Sequence, residues 1–158
     1  MGAKEKWRRF RALPPDIKQR LEHLIPLFEQ HDVLLAYLFG SLSRDKEAND
    51  VDLAILVQDG PAYPLREPIV DCLGTERVDL VDLQRAPPVL RFEIVRGGYP
   101  LYVSSPSLQN QFELDTLHIY RDTRPMRRRQ QQYLRERFAK WSLNERSSEN
   151  SLGTTEKW

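Results

Sequence analysis

The chain has 158 residues, which fits a single globular domain and leaves too little sequence for two full ones. Hydrophobic residues make up 40% and charged residues 30%, a balance that excludes both a membrane protein and a chain disordered throughout. The net charge is only +1, so the total charge does not point to a particular class of partner.

Hydrophobic periodicity and turn residues predict the elements in chain order. A helix is predicted over 14–30, with Pro26 kinking it or starting a second short helix; strands over 33–39, 51–57 and 77–83; helices around 64–73 and 88–96; an edge strand over 99–103; and helices around 106–121 and 125–141, broken at Pro125. Strands that alternate with helices predict an α/β fold, a small central mixed sheet flanked by helices, with a C-terminal helical extension.

This order of elements divides the chain into three regions. Residues 12–104 are expected to form the α/β core, and residues 105–141 a helical extension packed on that core. Residues 142–158 are rich in Ser, Asn, Glu and Thr, so they are expected to be a disordered tail.

The charges are segregated along the chain. Residues 1–20 have seven Lys/Arg against two Asp/Glu, residues 45–82 have ten Asp/Glu against three Lys/Arg, and residues 121–140 have eight Lys/Arg against two Asp/Glu. An acidic centre suits cations, whereas a basic end suits nucleic acid, an acidic protein surface or solvent. No aromatic residues interleave with Arg127 to Arg129, so direct binding of nucleic acid is not expected.

The expected location is the cytoplasm. The longest apolar run, Val33 to Phe39, is far shorter than the roughly 20 residues that span a bilayer, and no secretory signal is visible. The single cysteine, Cys72, cannot form an internal disulfide, which suits a reducing compartment. No membrane partner is expected.

The segment from Phe39 to Arg44 is typical of a phosphate-binding turn. Gly40 ends a predicted buried strand, where a glycine lets the backbone turn sharply and approach a ligand closely. Backbone amides that open the next helical turn would face a phosphate, and Ser41 adds a hydroxyl donor. Arg44 stands where its guanidinium could bind a phosphate through two donors. We therefore predict Gly40, Ser41 and Arg44 as nucleotide-binding residues.

Two aspartates follow at strand spacing. Asp50 and Asp52 are two residues apart on a predicted strand, so their side chains leave the same face of the sheet. Two carboxylates in one small volume repel each other unless a cation or a proton lies between them. Oxygen ligands without a neighbouring His or Cys point to Mg²⁺. Asp79, on the next strand, supplies a third carboxylate, and the three predict a two-metal site for nucleotidyl transfer.

These motifs resemble those of the DNA polymerase β-type nucleotidyltransferases, specifically the minimal (MNT) branch. The resemblance rests on Gly40-Ser41, Asp50-x-Asp52 and Asp79 within Arg77 to Val81. The resemblance extends to the MntA-like antitoxins, which pair with HEPN-domain ribonuclease toxins. It covers about residues 12–140 of this chain. The further matching segments are Arg91 to Gly98, Pro100 to Tyr102, Phe112-Glu113, Thr116 and Tyr120.

The resemblance implies an activity and a partner. Such antitoxins are implied to use ATP and magnesium to transfer AMP to a tyrosine of the HEPN toxin, which neutralises it within a hetero-oligomer. It also implies that Asp50 and Asp52 bind metals, that Asp79 completes the triad and assists the nucleophile, and that Gly40 and Ser41 bind the triphosphate. This chain departs from the family in a shorter spacer, with eight residues between Ser41 and Asp50, and in Asp45 where many members have Gly.

Two other functions compete with this one. The first is a small-molecule nucleotidyltransferase, although such enzymes generally carry an added helical domain that shapes the acceptor pocket, and this chain has only a helical hairpin after Val103. The second is a catalytically silent antitoxin that acts by binding alone. Three retained aspartates argue against the second alternative, because without metal chemistry their mutual repulsion would have no use.

Overall fold

The computed structural model describes residues 11–151, and the side chains of residues 11–140. The chain divides into two compact units at Tyr120/Arg121. The strands are β1 (Val33–Phe39), β2 (Val51–Val57), β3 (Val78–Asp82) and β4 (Tyr99–Val103). The helices are α1 (Ile17–Glu22), α2 (Leu24–Gln30), α3 (Gly40–Ser43), α4 (Arg66–Leu73), α5 (Pro88–Gly97), α6 (Pro106–Asp122) and α7 (Arg124–Ser151), and a 3₁₀ turn covers Tyr63–Leu65.

The four strands form one mixed sheet in the order β3-β2-β1-β4. Strand β1 pairs antiparallel with both β2 and β4, whereas β2 pairs parallel with β3. A parallel pair needs a crossover connection, and the segment with the 3₁₀ turn and α4 provides it. The predicted mixed sheet flanked by helices and the predicted edge strand over 99–103 are confirmed.

Apolar residues on the two faces of the sheet form two cores. One face, with Leu53 and Ile55, packs with buried residues of α1, α2 and α4 such as Phe28 and Ile69. The other face, with Tyr37 and Ala54, packs with α5 and α6. Side chains alternate between the faces along a strand, so a polar residue two positions from Ala54 lies on the α5 and α6 face.

The second of the two alternatives for Pro26 and the predicted break at Pro125 are both present. The first helical segment is two helices that meet at His23, and Pro26 lies in the first turn of α2, where a proline without an N–H costs no hydrogen bond. Likewise α6 ends at Asp122, and Pro125 lies in the first turn of α7. Both prolines therefore begin helices and do not kink them.

The regional boundaries differ from the prediction. The first compact unit extends through most of α6 to Tyr120, so the structure divides the chain later than residue 104. Helix α7 continues to Ser151, ten residues beyond the expected end at 141. Residues 152–158, the remainder of the expected tail, lie outside the described residues. Among the described residues, no helix combines the length and the apolar character that crossing a membrane requires.

Asp82, three residues after Asp79, has a structural role. Its side chain is 2% exposed and accepts hydrogen bonds from the backbone N–H groups of Ala62 and Gln84, at 3.1 and 3.0 Å. It thereby ties the crossover segment to the end of β3.

Replacing Asp82 with alanine is expected to destabilise the fold. The change leaves two backbone donors without their acceptor, which costs about 1–3 kcal/mol for each buried group. Denaturant unfolding should show a lower midpoint for Asp82→Ala, whereas Asp59→Ala, at an exposed loop position, should match the wild type. Equal midpoints for the two variants would contradict this role.

Candidate active site

The three predicted aspartates come together. Carboxylate oxygens of Asp50, Asp52 and Asp79 all lie within 4.8 Å of one another, and the three side chains are half-buried. Asp52 and Asp79 lie on the same face of the sheet as Ala54, two positions along β2. A cluster of three carboxylates this close is expected to concentrate negative charge at one end of that face.

The strand register brings the three carboxylates together. In the parallel pair of β2 and β3, Asp52 lies beside Asp79. Neighbouring strands are about 4.8 Å apart, so register partners direct their side chains to the same side at short range. Asp50 precedes β2 by one residue, and its position is two residues from Asp52. The sequence predicted all three aspartates, and the register explains why Asp79 lies beside Asp52.

Gly40 lies directly against Asp52. Phe39, the last residue of β1, is the register partner of Asp52, so the turn after β1 passes over that carboxylate. Gly40 has φ +71°, and a Cβ at this position would collide with the Asp52 carboxylate oxygen. Only glycine suits both the left-handed backbone and the close approach. The predicted sharp turn is present, and the group that Gly40 approaches is the carboxylate of Asp52, one of the three predicted metal ligands.

Asp45 takes the place where many relatives have glycine. Its φ of +54° is in the left-handed region, which Asp tolerates better than most residues with a side chain. Its carboxylate forms an ion pair with Lys18 of α1. Both side chains are more than half exposed, so the pair adds little stability, and the left-handed backbone at Asp45 is one that glycine adopts without strain.

The other two predicted nucleotide-binding residues are at the surface. Ser41 and Arg44 are both exposed, and the Ser41 carbonyl accepts hydrogen bonds from the N–H groups of Arg44 and Lys46, at 3.2 and 3.3 Å. Ser43 donates a hydrogen bond to the Gly40 carbonyl at 2.7 Å. The turn is thus closed by its own backbone and leaves the Ser41 and Arg44 side chains exposed to solvent.

Arg77 is a residue near the triad that sequence analysis did not select. It is half-buried and donates a hydrogen bond to the carbonyl of Asn49 at 3.0 Å. Its own carbonyl accepts from the N–H of Val51 at 2.8 Å. These bonds fix the segment on both sides of Asp50 against the start of β3. An Arg directly before the strand that carries Asp79 was the available signal.

A second polar contact was also missed, on the face that carries the triad. Tyr37 of β1 is 1% exposed, and its hydroxyl donates a hydrogen bond to Glu113 of α6 at 2.8 Å. Gln109 donates to the same carboxylate at 3.1 Å. Burial, and then the hydrogen bond to Glu113, raise the pKa of Tyr37 above its usual value. The contact fixes α6 on the sheet, and no local pattern could predict a pairing across 76 residues.

Two cavities lie near this region without including the triad. One, of about 470 Å³, lies between α5 and α6 and is lined by Phe92, Glu113 and Leu117 among others. The other, of about 480 Å³, lies beside the turn and includes Leu38 and Leu42, which belong to the opposite face of the sheet. The three carboxylates, which line neither of these two cavities, are half-buried.

The sheet is mixed, and the Gly40 turn lies against the carboxylate of Asp52. Asp50 lies two residues before Asp52, and Asp79 lies beside Asp52 on the parallel neighbouring strand. These features together are those of a nucleotidyltransferase. Residues 22–107 match the family model described as polymerase beta, nucleotidyltransferase. Because the match covers more than half of the chain, the protein belongs to that family. A search of curated proteins finds no match.

Solved structures support the resemblance to MNT antitoxins. One match comes from the solved complex of tri-AMPylated Shewanella oneidensis HEPN toxin with MNT antitoxin. The matched chain is 26% identical to this one, with a TM-score of 0.62, and the match covers 75% of this chain and 98% of that chain. A toxin–antitoxin structure with AMP-PNP is 25% identical (TM-score 0.63; 73% and 97% covered). A MntA–HpeT toxin–antitoxin mutant, with two aspartates changed to glutamate, is also 25% identical (TM-score 0.63; 72% and 97%).

Proposed function

We propose that this chain is a magnesium-dependent adenylyltransferase antitoxin that transfers AMP from ATP to a tyrosine of a HEPN ribonuclease toxin. The observation that carries the proposal is the set of three carboxylates with oxygens within 4.8 Å, next to the Gly40 turn. The similar structures support the choice of acceptor and nucleotide, since one contains an AMPylated HEPN toxin and another an ATP analogue. Chain and toxin would form a hetero-oligomer.

The donor set fits a magnesium site. Asp50, Asp52 and Asp79 offer only carboxylate oxygens, the ligands that Mg²⁺ prefers, and their mutual repulsion favours a divalent cation between them. Bound there, two metal ions would supply charge stabilisation for the attacking and leaving oxygens of a phosphoryl substitution.

The chain's own residues would act as follows. Gly40 and Ser41 would bind the triphosphate through the backbone turn, and the exposed Arg44 would add a phosphate contact. The tyrosine oxygen of the toxin attacks the α-phosphorus of ATP, and the bond between that phosphorus and the oxygen bridging to the β-phosphate breaks. Pyrophosphate leaves with the electron pair, and the phenol proton passes to Asp79 and then to solvent.

Isotopically labelled ATP tests the proposal. The full chain is incubated with Mg²⁺ and the HEPN-domain protein encoded by the neighbouring reading frame. We expect label from [α-³²P]ATP, and none from [γ-³²P]ATP, to appear on a tyrosine of that protein, with EDTA abolishing transfer and its RNase activity falling as label accumulates. A complex that inhibits the RNase without label would identify an antitoxin that acts by binding alone. Label only on added small acceptors would indicate the small-molecule enzyme.

A further inference from the structure

Helix α7 exposes a group of large apolar side chains. Met126, Tyr133, Leu134 and Phe138 are 61%, 59%, 49% and 68% exposed. Residues seven or eight apart in a helix are two turns apart, and residues four apart are about one turn apart, so these four lie on one side of α7. We call them the apolar stripe. A stripe of this size exposed to water marks an interaction surface.

Basic residues surround the apolar stripe. Residues 124–140 contain seven Lys/Arg and one acidic residue, Glu136. Helical spacing places Arg128 and Arg135 on the side opposite the stripe and Arg129 at its border. Arg137 lies over the Tyr133 ring, 5.7 Å from its centroid, and adds positive charge within the stripe. The matching surface is therefore an apolar groove with Asp and Glu along its rim.

This charge selects among the possible occupants. A second copy of α7 would bring two strongly basic helices together, which like-charge repulsion disfavours. A nucleic acid would complement the charge, but aliphatic residues such as Met126 and Leu134 offer no platform for base stacking. An acidic protein surface satisfies both the charge and the apolar side chains.

The stripe lies outside the part of the chain that defines the family. The family model ends at residue 107, and the second compact unit begins at Arg121. The similar toxin–antitoxin structures are matched over 97–98% of their own chains but over only 72–75% of this one. About a quarter of this chain thus has no counterpart in them, which is more than its ten undescribed N-terminal residues account for.

We propose that α7 is an added docking helix, whose apolar stripe enters an acidic-rimmed apolar groove on the acceptor protein. The identity of that acceptor, the HEPN toxin, rests on the proposed function. Recognition of a whole protein requires a larger contact surface than three half-buried carboxylates provide, so further contacts lie elsewhere on the chain. The basic residues speed encounter and the apolar stripe slows dissociation.

Two paired variants of the full chain test this. Leu134→Gln with Phe138→Gln removes apolar area and keeps good helix formers, and Arg128→Gln with Arg135→Gln changes the opposite side. Binding to the purified HEPN-domain protein is measured by surface plasmon resonance at two salt concentrations, and AMP transfer is measured against its concentration. The stripe variant should raise both the dissociation rate and the KM for the toxin at least about tenfold. Its kcat and its KM for ATP should stay unchanged.

The arginine variant should slow association at low salt and have little effect at high salt. Wild-type dissociation and KM in the stripe variant would overturn the proposal. A wild-type dimer, seen by light scattering, that the stripe variant dissociates without losing toxin affinity would also overturn it. So would RNA binding, measured by filter retention, that the stripe variant loses while its toxin affinity stays unchanged. Binding and transfer separate the two proposals. Tight binding that depends on the apolar stripe, without AMP transfer, would contradict only the proposed function. AMP transfer that is unchanged in the stripe variant would contradict only the docking.

Discussion

Replacing Asp52 with asparagine is expected to lower AMP transfer at least about 100-fold, because under the proposed function it removes one of the three carboxylates that would bind the metal ions. The fold should persist. Asn has nearly the same shape as Asp, and the change relieves repulsion from Asp50 and Asp79, so the free energy of unfolding without metal should stay equal or rise slightly. Transfer rates with labelled ATP and denaturant unfolding in EDTA measure the two effects.

Asp59→Asn provides the matched control, since Asp59 is an exposed aspartate in the loop after β2. It should retain wild-type transfer. Asp50→Asn should behave as Asp52→Asn does. Full activity in either triad variant would remove that carboxylate from the site, and unfolding of Asp52→Asn would show that its role is structural.

Replacing Gly40 with alanine is expected to reduce AMP transfer at least about tenfold and to destabilise the fold. Two causes act together. Alanine at φ +71° is strained, by about 1–2 kcal/mol, and its Cβ would collide with the Asp52 carboxylate. The carboxylate must then move away from the other two ligands, so the apparent affinity for Mg²⁺ should fall as well.

Gly60→Ala separates the two causes. Gly60 has a similar φ of +81°, but nothing lies within 4 Å of a Cβ at that position. This variant should show the backbone cost alone, as a lower unfolding midpoint with unchanged transfer at temperatures where it is folded. Equal losses of activity in both variants would mean that the contact with Asp52 is unimportant.

Much of the sheet and of the site could be predicted from local patterns. The runs at 33–39 and 51–57 are apolar enough to identify buried strands, and two aspartates that interrupt such a pattern stand out. The break between the last two helices was predicted at Pro125, two residues from the observed boundary at Thr123. The boundary at His23 was left open, because Pro26 was compatible with either a kink or a helix start.

The assembly of the site depends on long-range register. That Asp79 lies beside Asp52, and that Gly40 contacts the same carboxylate, follows from how the strands pair, which hydrophobic spacing cannot specify. The bonds of Arg77 to Asn49 and of Tyr37 to Glu113 join segments 28 and 76 residues apart. The local sequence identifies residues that can form such bonds, but it does not identify their partners.

The parallel pairing of β2 with β3 gives the site a dependence on complete folding. Asp50 and Asp52 belong to the β1–β2 segment, but Asp79 arrives on an edge strand, after a crossover of about twenty residues. A molecule in which β3 has detached keeps two carboxylates and loses the third. A cation that binds all three carboxylates would therefore favour the state in which β3 is paired with β2. It would slow amide hydrogen exchange along β3 more than elsewhere in the sheet. The pairing of the edge strand β3 with β2 would thus be most stable in the metal-bound protein, which is the form able to react.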